Sequence, residues 1–204
     1  MVILTLSPGA LMSNLGRLTR VEPIRTSSAI SSIKKHLKDS PRNLAIFTLG
    51  VNTALRASDL LRIKLSDIQH LKIGEQFTIK EKKTGKTKQV TLNKASFRAI
   101  RAYLKVRRKT DPDAPLFLSR KGAAKAISVW QLNHLVKKWA KETGSHGRFG
   151  SHSLRKTFGY MQRTQFKTDL PTLMVAFNHS SQLQTLTYLG VQADDVHRAF
   201  MNEI

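Results

Sequence analysis

FTIKEKKTGKTKQVTLN, residues 77–93, is the one stretch of this chain whose pattern is plainly β. Two runs rich in Thr, Val, Ile and Phe flank Thr84-Gly85-Lys86, and a glycine-bearing turn between such runs is the signature of a hairpin. The sequence on either side has helical spacing instead. Upstream, NLAIFTLGVNTAL (43–55) is apolar nearly all round, as a buried helix must be, with Ser40 able to cap it and Pro41 at its first position. TSSAISSIKKHLKDS (26–40) repeats apolar residues at Ile30, Ile33 and Leu37, one helical face. Downstream, KASFRAIRAYLKVRRK (94–109) presents Phe97, Ile100, Tyr103 and Leu104, and TDPDAP then breaks the chain. A short apolar run, PLFLS, leads through Lys121-Gly122 to a helix over 128–143 carrying Trp130, Leu132, Leu135, Val136 and Trp139. Further helices are expected over 152–165, 170–177 and 181–189, with a tail helix over about 193–203. The fold class is therefore mainly α (α+β): a helical bundle carrying one small antiparallel sheet. Residues 1–21, with Pro8, Gly9 and Gly16 and little periodicity, read as an arm ahead of a single domain over 22–204.

Composition narrows the partner. The 204 residues hold 35 Lys and Arg against 13 Asp and Glu, a net charge of +22, far beyond what solubility requires. Such a field attracts a polyanion, nucleic acid before an acidic membrane. The basic residues crowd onto the hairpin and the next helix, and Lys82, Lys86 and Lys88 are expected to meet DNA phosphates there. The chain has no cysteine, which excludes disulfides, thiolate metal sites and a cysteine nucleophile. Carboxylates are scarce around the seven histidines, so no metal centre is expected. Neither a signal peptide nor a membrane span is legible, and the protein reads as cytoplasmic.

What remains is a set of cations and one phenol. His152 and Arg155 in SHSLRKTFGY lie three apart near the start of a helix, where the backbone donors favour an anion. Arg56 follows the apolar helix, and Asp59 stands where it could buttress the guanidinium. Lys83 sits at the hairpin turn, and Tyr188 follows His179 by nine residues. Taken singly, each has a packing explanation: a local Arg56–Asp59 ion pair, a capping His152, a core His179, a core Tyr188. Taken together, two arginines, two histidines and a lysine form a metal-free cradle for a phosphodiester, and a tyrosine is a suitable reversible nucleophile.

TALRASDLLRIKLSDI, KKTGKTKQVTL, HSLRKTFG, FNHSS and TLTYLG together resemble the motifs of the tyrosine recombinases, the phage-integrase family, over roughly 21–204. The resemblance implies a catalytic domain that cuts DNA through a 3'-phosphotyrosine and rejoins exchanged strands. It needs neither ATP nor metal, so no cofactor is expected. It also implies an active set of Arg56, Lys83, His152, Arg155, His179 and Tyr188, with Asp59 in support. Arg56 and Arg155 would hold nonbridging oxygens and Lys83 would protonate the leaving 5'-oxygen. His152 would assist the tyrosine proton, and His179 would hydrogen-bond the phosphate. Lys82 and Lys86 are rivals for the lysine role, while Tyr103 and Tyr160 read as packing residues. The implied partners are double-stranded DNA, further copies of the chain in a tetramer, and accessory DNA-bending or recombinase proteins. Many members carry a DNA-clasping domain ahead of the arginine box, and Arg56 is too near Met1 to leave room for one, so the chain resembles short stand-alone members. Two other activities share these features: DNA relaxation by a type IB topoisomerase, against which His152 speaks, and DNA binding without cleavage.

Overall fold

The computed structural model describes residues 21–120, 125–189, 197 and 200–203. The arm expected over 1–21, apart from Val21, the Lys121-Gly122 turn, and most of the tail helix expected over 193–203 lie outside the described residues. The described chain runs α1 (Ser27–His36), α2 (Pro41–Asn52), α3 (Ala57–Leu60), α4 (Leu65–Ile68), β1 (Gln76–Lys80), β2 (Thr87–Thr91), α5 (Lys94–Val106), α6 (Val129–Glu142), α7 (Ser151–Thr164), α8 (Leu170–Phe177) and α9 (Gln182–Leu189).

The helix starts follow local chemistry. Thr26 Oγ1 accepts from Ala29 N at 3.1 Å, Asn93 Oδ1 from Ser96 N at 2.9 Å and Ser128 Oγ from Gln131 N at 3.1 Å, each satisfying a first-turn donor. Pro41 opens α2, but Ser40 does not cap it with its side chain. As its all-round apolar pattern requires, α2 is buried almost throughout and packs on both α5 and α7. Gly50 permits the second contact: a Cβ there would stand 2.7 Å from Leu154 Cδ1. PLFLS forms no strand; Leu118 pairs with Ala126 in an isolated bridge, and Leu116 and Phe117 are fully buried.

The sheet is the expected hairpin. β1 and β2 pair antiparallel with Phe77 opposite Val90 and Ile79 opposite Lys88. Residues of one parity face the core, and both strands alternate exposed with buried. A large core spans α1 to α7, while a smaller one gathers Ala54, Leu173, Phe177 and Leu189, with Phe158, Leu186 and Tyr188 packed against it. The polar residues singled out in the sequence converge beside this smaller core.

Candidate active site

The site begins where α2 ends. Ala54 turns the chain in the left-handed region (φ 51°), an uncommon conformation for a residue with a Cβ. Its carbonyl accepts from Arg155 Nη1 and, at 3.1 Å, from Lys88 Nζ; Thr53 O accepts from the same ammonium at 3.3 Å. These carbonyls lie at the negative end of a helix, so cations are their natural partners. Arg56 leaves the turn and pairs through Nη1 with Glu81 Oε2 at 2.6 Å. The nitrogen is close enough for an ion pair but not aligned along a hydrogen bond.

Two buried carboxylates tie the hairpin turn to this point. Glu81 Oε2 also accepts from Thr84 Oγ1 at 2.6 Å, and Asp59 Oδ1 accepts from Lys82 N at 2.9 Å. Burial raises the Glu81 pKa, but the Thr84 hydroxyl and the Arg56 guanidinium outweigh it, and the net shift is downward. The expectation that Asp59 buttresses the Arg56 guanidinium is corrected: Asp59 holds the backbone of the turn, and Glu81 is the arginine's carboxylate. A one-turn separation brought Arg56 and Asp59 together on paper, but α3 is only four residues long and directs Asp59 toward the hairpin.

The second arm of the site is α7. Arg155 is 1% exposed, and its direct partners are neutral acceptors and rings, with Arg56, Glu81 and Asp59 acting on it through space. Nη2 donates to Phe177 O at 2.8 Å, and the guanidinium carbon lies 4.8 Å from the Phe177 ring centroid and 5.2 Å from that of Tyr188. Nε is buried and has no hydrogen-bond partner among the described residues. Burial, then the charge of Arg56, lowers its pKa to about 10, so it stays cationic at neutral pH.

Arg155 also fixes the state of His179. Nη2 lies 3.1 Å from His179 Nε2, and because a guanidinium can only donate, Nε2 must be the unprotonated nitrogen. Nδ1 therefore carries the proton and donates to Thr185 Oγ1 at 3.0 Å. Burial and the Arg155 charge push the His179 pKa down to about 4, consistent with this neutral tautomer. The expected phosphate donor is thus engaged in holding Arg155. Asn178 (φ 58°) closes α8 in a left-handed cap that turns His179 back over Phe177.

Tyr188, on α9, is half-buried, with its ring centroid 5.4 Å from Phe177 and 5.1 Å from His179. Among the described residues its hydroxyl makes no hydrogen bond. Lys156 Nζ lies 6.0 Å from the same ring, and burial, then Arg25, lowers that lysine's pKa to about 8. By contrast Tyr103 is stacked on Phe117 in the main core and Tyr160 lies beneath Arg25.

The structure brings Arg56, Arg155, His179 and Tyr188 together and keeps His152 and Lys83 at the exposed rim. The His152 pKa is lowered by burial first and then by the charges of Arg155, Lys156, Arg56 and Lys83, which puts Lys83 within electrostatic reach. Lys82 and Lys86 are exposed beside it. Lys88 is not: it is 9% exposed and turned inward, so its expected contact with DNA phosphates is corrected. Glu81 and Lys88 were both missed as internal site residues. Strand parity could have found them, since Glu81 follows Phe77 and Ile79 in step and Lys88 precedes Val90 in step.

Residues 25–194 match the model of the phage integrase family, and the chain belongs to that family. It is 32% identical over 183 residues to the probable integrase/recombinase YoeC of Bacillus subtilis (strain 168), covering 88% of this chain and 95% of that protein. It is 35% identical over 161 residues to the tyrosine recombinase XerC of Caldanaerobacter subterraneus subsp. tengcongensis, covering 78% of this chain but 44% of that one. The chain thus spans about half the length of the XerC relatives it matches. Among solved structures, the XerA recombinase superposes with a TM-score of 0.72 at 18% identity, covering 91% of this chain and 64% of that one. The XerH site-specific recombinase bound to its palindromic difH substrate superposes at 0.71 and 19%, covering 89% and 53%. The fold is that of the tyrosine recombinase catalytic domain.

Proposed function

We propose that this chain cuts and rejoins duplex DNA at specific sites, with Tyr188 as nucleophile and Arg56, Lys83, His152, Arg155 and His179 around the scissile phosphate. One observation carries the reading: Arg155 is a buried cation with neutral partners and an orphaned Nε, 5.2 Å from a tyrosine ring. Its direct partners are all neutral, and the buried Glu81 and Asp59 that act on it through space are shared with Arg56 and Lys88, so an anion arriving at the site relieves the excess of positive charge. A phosphodiester is such an anion, and the chain's charge of +22 gathers the polymer that carries it.

Tyr188 Oη attacks phosphorus, forming the phosphotyrosine bond as the bond to the 5'-oxygen breaks. The tyrosine proton leaves by way of His152, and Lys83 delivers a proton to the departing oxygen. Arg56, oriented by Glu81, and Arg155, oriented by Ala54 O, Phe177 O and His179, neutralise the charge that grows on the nonbridging oxygens. A 5'-hydroxyl of the partner strand then reverses the step, and the phosphodiester energy is kept. His179 serves first as the residue that aims Arg155; donating to the phosphate requires its Nε2 to gain a proton.

The partner is double-stranded DNA, with further copies of the chain on the exchanging duplexes, accessory DNA-bending or recombinase proteins at the site, and a cytoplasmic setting. The domain reading of an arm followed by a catalytic unit from residue 22 goes with it. The test is incubation with nicked suicide duplexes built from repeats flanking the gene. Wild type should trap a covalent protein–DNA adduct, while Tyr188→Phe should bind the same duplex and trap none. Equal adducts from both would remove Tyr188 from the role, and site-independent plasmid relaxation would favour the topoisomerase chemistry.

A further inference from the structure

The inner face of the hairpin carries two ionisable groups that a purely packing face would not. Register places Lys88 opposite Ile79, on the side of Phe77 and Val90, and its side chain runs under the hairpin to the end of α2. There its ammonium spans two successive carbonyls, Thr53 O and Ala54 O. Ala54 O is also the acceptor for Arg155, so a single carbonyl joins β2, the α2–α3 turn and α7. The turn is also held by Thr53 Oγ1, which donates to Leu49 O at 2.8 Å, and by the burial of Ala54 and Leu55, but its carbonyls meet only cations: Ala54 holds a left-handed backbone without the freedom of a glycine, and Arg56 leaves it two residues later.

We propose that Lys88 is a positioning residue of the anion cradle, holding the Thr53–Ala54 turn in the shape from which Ala54 O meets Arg155 and Arg56 reaches Glu81. The proposal rests on the recombinase reading of the site. It couples the seating of the hairpin, and so the placement of Lys83 at its tip, to the two arginines. The charge pattern fits such a role. Arg155 on α7, Arg56 in the turn, Asp59 on α3, Glu81 on the hairpin and His179 after α8 all act on or feel the Lys88 ammonium. Burial and Arg155 together bring its pKa to about 7, so the amino group is held only as tightly as its two carbonyls and two carboxylates allow. Three cations face two buried carboxylates, which leaves the cluster ready for one further anionic charge.

The absence of cysteine makes a chemical test available. Lys88→Cys is prepared in denaturant, alkylated there with 2-bromoethylamine to restore an ammonium at lysine length, or with 1-iodopropane to give a neutral chain of the same length, and refolded. The two products are compared on the same suicide duplex, with melting temperature and duplex affinity measured on each. The aminoethyl form should trap adduct close to the wild-type rate. The propyl form should be slower by at least about tenfold, the cost of misplaced catalytic groups, with duplex affinity changed less than about threefold, because Lys88 does not reach DNA. Equal adduct rates for the two forms would overturn the proposal. So would a propyl form whose lost rate is matched by lost duplex binding. If wild type traps no adduct, the recombinase reading fails, and inorganic pyrophosphate affinity decides the inference separately. The aminoethyl form should then bind at least about tenfold tighter than the propyl form, and equal affinities would overturn it.

Discussion

Arg155 shows how far a single side chain can carry the site. Its guanidinium is held by two backbone carbonyls, one imidazole and two aromatic faces, a geometry that only a planar fork of donors can satisfy. Arg155→Lys keeps the charge but loses the fork. We expect adduct formation to fall by about 10²-fold or more, while duplex affinity falls far less, as measured in single-turnover assays against filter binding. His179 predicts differently. Because its ring nitrogen accepts from Arg155, His179→Gln, whose side-chain oxygen can also accept, should retain more activity than His179→Leu, and the ordering of the two rates checks it. The Tyr188 ring packs beside Phe177 and His179, and among the described residues its hydroxyl makes no hydrogen bond. Sequence alone could list these residue types, because cations and a phenol stand out in an apolar helix pattern. It could not show that His179 faces Arg155, since that contact depends on the left-handed cap at Asn178.

At the scale of elements, the hairpin and α7 set the geometry. The helices that enclose the core were legible from periodicity and caps, and the hairpin from its turn. The short α3 and α4 were not, being too brief to leave a periodic trace. The partner of Asp59 is a backbone amide on the hairpin rather than the Arg56 guanidinium, and backbone amides carry no sequence signature. Lys88 turns inward, away from the DNA phosphates expected for the basic hairpin, because its parity with Val90 sets it on the core face. Close approach of α7 to α8 rests on Gly159, where an added Cβ would stand 2.6 Å from the Phe177 ring. Gly159→Ala should therefore destabilise the protein by about 1–3 kcal/mol by overpacking, read from the urea midpoint, and should disturb the Arg155–Phe177 contact as well. Glu81→Ala strands Arg56 without its carboxylate and should cost about 3 kcal/mol, with a matching loss of adduct rate.

For the whole molecule, charge dominates. Lys88 and Lys156 have folded pKa values lowered to about 7 and about 8 from 10.5, so between those values the unfolded chain binds more protons than the folded one. Stability from these two groups is complete above about 10.5, shrinks as pH falls toward 8 and 7, and is absent below. His179, lowered to about 4 from 6.5, contributes in the same sense over the lower window: stability falls as pH drops from 6.5 to 4. Thermal melts should therefore rise from pH 4 to 6.5 and again from pH 7 to 9.5, and Lys88→Met should flatten the upper limb. The exposed Lys82 and Lys86 belong to a different account. Replacing both with alanine should weaken duplex binding and lower the slope of log affinity against log salt by nearly two, if each neutralises one phosphate.

The central claim is that one phenol, held among Phe177, His179 and Arg155, becomes covalently joined to DNA. The most direct measurement is mass spectrometry of the trapped adduct after proteolysis and nuclease digestion. The account predicts a nucleotide linked by a phosphodiester to the peptide that contains Tyr188. A nucleotide on Tyr160, on Tyr103 or on any serine would contradict it.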